Sequence, residues 1–109
     1  MSYITELAEA IRVELPAKLV PSDDDELLFL LYAVLLLSKG TAVTREDVHH
    51  AWSAWMTYRR EAHESLVPFD QLAASTKAED EPFVRAIRHV AINRGIARDD
   101  PNEQPAEST

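Results

Sequence analysis

Three groups of residues in this chain have side chains that could do chemistry. They are its histidines, an aromatic and arginine cluster after residue 50, and its many carboxylates. The histidines do not make a metal site. His49 and His50 are adjacent, so on a helix they diverge by about 100°, and His63 and His89 are far apart in the chain. No HExxH or comparable ligand spacing occurs. There is no cysteine, which removes thiolate ligands, disulfides and a thiol nucleophile. There is no GxSxG elbow for a serine nucleophile either. Asp and Glu are abundant, but abundance is not an arrangement for acid–base work. The expectation is a protein that is not an enzyme and carries no cofactor.

The second group is better suited to binding. Val48, Ala51, Trp52, Trp55, Met56 and Tyr58 are read as one helical face, with Arg59 one turn beyond Trp55. The two tryptophans suit core anchors. Arg59 can stack on a ring, pair with an acid or hold an anion. Read as a ligand site, Trp55 or Tyr58 would stack a base, Arg59 or Arg60 would meet a phosphate, and His63 would lie beside them. A further patch, Arg85, Arg88 and His89 with Ile92, is expected on the outer face of the last helix. It suits a protein contact patch, or a solvated face with ordinary charge pairs.

The elements that must position these residues are helical. Ser2 can cap a first helix reaching about residue 15, with a stripe of Ile4, Leu7, Ala8, Ile11 and Leu15 and a stop at Pro16. Ser22 is expected to cap a second helix, with Asp23, Asp24, Asp25 and Glu26 in its first turn and Gly40 at its end. Residues 27–37 of that helix are an unbroken apolar run. Such a helix is apolar all round and should be buried all round, by the rest of the chain or by a second copy of it. Tyr32 within it would want a partner for its hydroxyl. Thr44 followed by Asp47 forms a capping-box-like start to the third helix. Residues 61–70 read as an irregular loop, and Asp70 can cap a short turn over 71–74. Glu79 or Asp80 would cap a last helix that tolerates Pro82 in its first turn. That helix buries Phe83, Ile87, Val90 and Ala91, and Gly95 stops it.

With 109 residues the chain is sized for one domain, taken as 1–95, followed by a disordered acidic tail over 96–109. The formal net charge of −8 disfavours nucleic acid. The one helix-turn-helix candidate, the third helix, would present His50, Ser53, Ala54, Thr57 and Arg60, a poorly basic face. The apolar run falls short of the roughly 20 residues that a membrane span requires. No leader peptide is visible, and a cytoplasmic setting is expected.

Residues 48–95 resemble a known family. Val48-His49-His50-Ala51-Trp52 is similar to the hydrophobic-His-x-x-Trp helix of ryanodine-receptor-type repeat (RyR) domains. His63-Glu64-Ser65-Leu66-Val67-Pro68-Phe69-Asp70-Gln71-Leu72 resembles that family's H-P-x-L-V-P-F/Y-x-x-L segment, and Lys77 with Asp80 its E-K-x-x-N/D step. The family's glycine-rich hairpin is replaced by Met56-Thr57-Tyr58-Arg59-Arg60-Glu61-Ala62, and Glu64 stands where a proline is usual. The resemblance implies a small stand-alone binding module of the kind found in prokaryotes and their viruses, with nucleotide-type ligands associated with some members. It also implies that His49, Trp52, His63, Pro68 and Phe69 pack the loop onto the Trp helix.

The expected fold is therefore mainly α, a compact bundle of about four helices with an irregular loop at 61–70 and room for one short β-hairpin. The expected function is a protein-interaction or dimerisation module. The alternative is a binding domain for a nucleotide or nucleotide-derived signal.

Overall fold

The computed structural model describes residues 2–21 and 25–96. Among these, four long helices and one short one make up the domain: α1 (Tyr3–Val13), α2 (Glu26–Lys39), α3 (Arg45–Tyr58), α4 (Ala74–Ala78) and α5 (Glu81–Asn93). Short 3-10 turns precede α2, follow it, and precede α4. No strand forms among the described residues, so the hairpin allowed for above is not made.

α1 begins where Ser2 accepts a hydrogen bond from the Thr5 amide at 3.1 Å. It ends at Val13, two residues before the expected limit, because the chain tightens into a 3-10 turn ahead of Pro16. Leu15 still reaches the core beside Leu7, Ala8 and Ile11. The cap expected from Ser22 and the acids Asp23 and Asp24 fall outside the described residues. Asp25 occupies the N-cap position of α2 without capping it; its carboxylate takes two bonds from Arg12, at 2.6 and 3.0 Å. This bidentate pair ties the start of α2 to α1.

α2 is the centre of the bundle, and α1, α3 and α5 all pack on it. Leu28, Phe29, Tyr32, Ala33 and Leu36 are buried. Leu27, Leu30, Leu31, Leu35 and Leu37 are half-covered, and Val34 is 47 % exposed. The helix is therefore not buried all round within one chain. Three helices cannot close the full circumference of a fourth, and a leucine stripe is left facing out.

The capping box of α3 forms: Asp47 N–H donates to Thr44 Oγ1 at 3.2 Å and Thr44 N–H to Asp47 Oδ2 at 2.9 Å. Lys39 adds a 3.0 Å ion pair to the same carboxylate. Burial pushes the Asp47 carboxyl up, but the bonds from Lys39 and Thr44 outweigh it and hold the group below the usual range. Val48, Ala51, Trp55 and Met56 are buried, and so is His49. Tyr58, which the helical pattern assigns to this face, is exposed. Three residues past Trp55 it is rotated by about 60° and lies at the helix end, beyond the buried stripe.

α3 and α5 end alike. Glu61 N–H reaches back to Met56 C=O and Arg60 N–H to Thr57 C=O; Ile96 and Gly95 repeat the pattern onto Ala91 and Ile92. The left-handed residue is Gly95 in one case and Arg60 in the other, at φ 68° and 60°. The short turn expected over 71–74 is displaced. Asp70 lies inside the 3-10 turn Phe69–Gln71, and α4 starts at Ala74 with no side-chain cap. α5 carries Pro82 in its first turn and buries Val84, Ala86, Ile87, Val90 and Ala91. Of the segment read as a tail, 97–109 lies outside the described residues.

Candidate functional site

α3 presents His49 and Trp52 on adjacent turns, beside its buried stripe. The 61–72 segment folds over them. His49 Nε2–H donates to Val67 C=O at 2.7 Å, which fixes the ring and its tautomer. The His49 ring stacks on Trp52 with centroids 5.7 Å apart, and Phe69 closes on His49 at 6.0 Å. His63 meets Trp52 edge-on at 5.1 Å. The loop is thus packed onto the Trp helix through His49, Trp52, His63 and Phe69.

Between this wall, α2 and the start of α5 lies a cleft of about 280 Å³. Leu28 and Tyr32 from α2 form its floor, Trp52 and Trp55 one side, and Phe83 with Asp80 and Glu79 the other. Its volume is near the lower end of the range for small-molecule sites. Tyr32 is 1 % exposed, and its ring meets Phe29 edge-on at 5.4 Å and Phe83 at 5.7 Å. Among the described residues its hydroxyl has no hydrogen-bond partner. Burial, and then the charge of Asp80, push its ionisation up, so it stays a phenol.

Asp80 holds the N-cap position of α5, yet its side chain makes no capping bond. It lines the cleft instead. Burial is the main reason that its carboxyl is pushed up to about 6; Glu79 adds to this, while His49 and Arg45 oppose it. The Arg45 side chain is itself bonded to Glu81 at 2.7 Å. Among the described residues no ion pair or hydrogen bond reaches the Asp80 side chain.

The expected ligand residues are divided by the fold. Trp55 and His63 line the cleft. Arg59 does not: its guanidinium lies 4.5 Å over the Trp55 ring and pairs with Glu61 at 2.8 Å. Arg60 occupies the left-handed turn and Tyr58 is exposed, and neither lines the cleft. No Lys or Arg lines the cleft among the described residues. The Arg85, Arg88 and Ile92 face lies on α5. Ile92 is exposed, Arg85 pairs loosely with Glu81, and Arg88 Nε donates to Val43 C=O at 3.0 Å. Arg88 thereby tethers α5 to the turn after α2.

The sequence pattern does not mark Tyr32 and Asp80 as site residues. Tyr32 carries a signal, as the one polar side chain in an apolar run. Asp80 carries none, since an acid before Pro82 reads as a cap. No three His, Asp or Glu side chains converge as a metal site among the described residues, and no described helix is long and apolar enough to cross a membrane.

Fold and site together define an all-helical domain with an aromatic-walled, acid-edged cleft over its central helix. The chain belongs to a family described as a domain of unknown function, DUF7701, whose model matches residues 2–92. That match takes in α1 and α2 as well as most of residues 48–95. No curated protein and no solved structure matches the chain.

Proposed function

We propose that this protein is a non-enzymatic binding module whose ligand occupies the cleft over Tyr32. The observation that carries this reading is a buried phenol hydroxyl, without a protein partner among the described residues, at the floor of an aromatic-walled cleft. An unpaired buried hydroxyl costs about 1–3 kcal/mol. Such a group is accounted for when a ligand completes its hydrogen bonding. The resemblance of residues 48–95 to RyR domains, which are binding modules, supports the same class. A nucleotide phosphate fits this cleft poorly, because the charges along it are the carboxylates of Glu79 and Asp80, and Arg59 is engaged with Trp55 and Glu61.

The test is a fragment and metabolite panel, nucleotides included, followed by amide and indole NMR shifts on the full chain. Shifts clustered at Tyr32, Trp52 and Phe83 are expected. A panel that moves none of these resonances would overturn the reading.

A second reading rests on a different feature. The half-covered leucines of α2 surround exposed Val34, and a second copy of the chain could close this stripe. Sedimentation at micromolar concentration tests it: a dimer that Val34→Lys disperses is expected, and a monomer at all concentrations removes the reading.

A further inference from the structure

We infer that the cleft takes a small organic cation, an ammonium or guanidinium head on an apolar or flat body, received by Asp80 and Tyr32. This rests on the cleft being a ligand site and names the chemistry of its occupant.

Beside Asp80 the cleft is lined by a second carboxylate, a phenol and imidazoles, and the nearby Arg45 lies outside the lining and is bonded to Glu81. Asp80 brings a carboxylate with no ion pair among the described residues. The Tyr32 hydroxyl oxygen is unpartnered among those residues and close enough to Asp80 to feel its charge. His49 spends its Nε2–H on Val67 C=O. Glu79 adds a second negative charge at the edge. The walls are rings of Trp52 and Phe83, whose faces attract cations and whose bodies suit an apolar stem. An anion would meet two carboxylates and no lining Lys or Arg. A neutral ligand would leave the Asp80 carboxylate without a direct ion pair among the described residues, in a partly desolvated place. The chain's net charge of −8 adds long-range attraction for a cation.

The groups facing Asp80 set how binding depends on pH. They are Tyr32 from α2, His49 and Arg45 from α3, and the adjacent Glu79. Asp80 titrates near 6, so affinity for a cation should rise as pH increases through that value and level off above it.

The test uses the full chain with four probes: phenethylamine, agmatine, phenethyl alcohol and adenosine monophosphate. Tryptophan fluorescence and NMR shifts at Tyr32 and Trp52 report the site. The amines are expected to bind about tenfold or more tightly than the alcohol, and the nucleotide not at all, as a charged hydrogen bond would give. Asp80→Asn should weaken amine binding about tenfold and leave the alcohol unchanged; Tyr32→Phe, which keeps the ring, should weaken it severalfold. Circular dichroism confirms that each variant is folded. If the alcohol or the nucleotide shifts cleft resonances as strongly as the amines do, the cleft remains a ligand site and the cation assignment falls. Amine binding that survives Asp80→Asn in a folded protein also overturns the assignment. If none of the four probes moves a cleft resonance, the cation assignment falls, and the binding reading falls with it only when the wider fragment and metabolite panel moves none either.

Discussion

The two sides of α2 are built from nearly the same residues and meet opposite fates. Leu28 and Tyr32 face inward, are almost fully buried, and floor the cleft. Leu27, Leu31 and Val34 face the other way, and the chain covers them only in part. The inner side carries one buried oxygen atom, the Tyr32 hydroxyl. That oxygen turns a packed surface into a place with unmet hydrogen-bonding capacity. The outer side is apolar from Leu27 to Val34 and has only the exposed Ser38 at its end, so it offers mainly area. A ligand site needs both burial and an unsatisfied polar group, and a leucine stripe supplies neither the second nor a direction.

The largest effect should come from breaking the inner packing. Phe29→Ala removes a ring that is 1 % exposed, contacts Tyr32 and lies under the Arg12 guanidinium. It should cost about 3–5 kcal/mol by chemical denaturation. A loss under about 1 kcal/mol would mean that α2 is not the centre of the core.

The next effect is electrostatic and sharpens the contrast between site and scaffold. The folded-state pKa of Asp80 lies above its ordinary value of 3.8, at about 6. The folded protein therefore holds that proton more tightly than the unfolded chain does. The resulting stability is fully present below about pH 4 and is lost as pH rises through about 6. Asp47 and Glu81 behave oppositely. Asp47 is held low by Lys39 and Thr44 against burial, and Glu81 chiefly by its bond from Arg45. Their contribution is present above the ordinary carboxylate range and lost as pH falls through their folded values. Asp80→Asn should raise the melting temperature at about pH 7 and flatten the profile between about pH 4 and 6. Equal melting temperatures of the two proteins at neutral pH would show that the Asp80 charge is already compensated.

Tyr32→Phe should be neutral or stabilising by about 1 kcal/mol, since it deletes a buried hydroxyl and keeps the ring. A loss of more than about 1 kcal/mol would reveal a structural partner for that oxygen. Gained stability with lost binding would mark Tyr32 as a residue kept for function.

The smallest effect belongs to the outer side. Val34→Lys should change monomer stability by less than about 0.5 kcal/mol, because Val34 is already exposed. Any larger loss that depends on protein concentration would assign the leucine stripe to a subunit interface.

Much of the fold was legible because it is locally encoded. Ser2, Thr44 with Asp47, Pro82 and Gly95 act within a turn of their own position, and the structure uses each of them where the pattern put it, while α1 stops two residues short of the limit that Pro16 suggested. The apolar stripes of α1, α3 and α5 follow helical periodicity, which is likewise local. The site was legible only in part. Trp55 and His63 line the cleft, while Tyr58, Arg59 and Arg60 do not. Arg59 illustrates why. Its place one turn from Trp55 was readable, but whether the guanidinium would meet an anion or Glu61 depended on how the chain turned at Arg60.

By itself the sequence determined a mainly helical domain, where most helices start and stop, and which stripe of each would seek burial. Those are matters of spacing, capping and backbone preference within a few residues. The tertiary structure alone decided that α2 would keep one leucine stripe exposed. It alone sent the Asp80 carboxylate into a cleft and left the α5 cap position without its side-chain bond. It also brought Tyr32, His49, Trp52 and Phe83, from three helices, around one space. A cleft is a property of surfaces that fail to meet, and no local pattern in a chain records where distant surfaces will fail to meet.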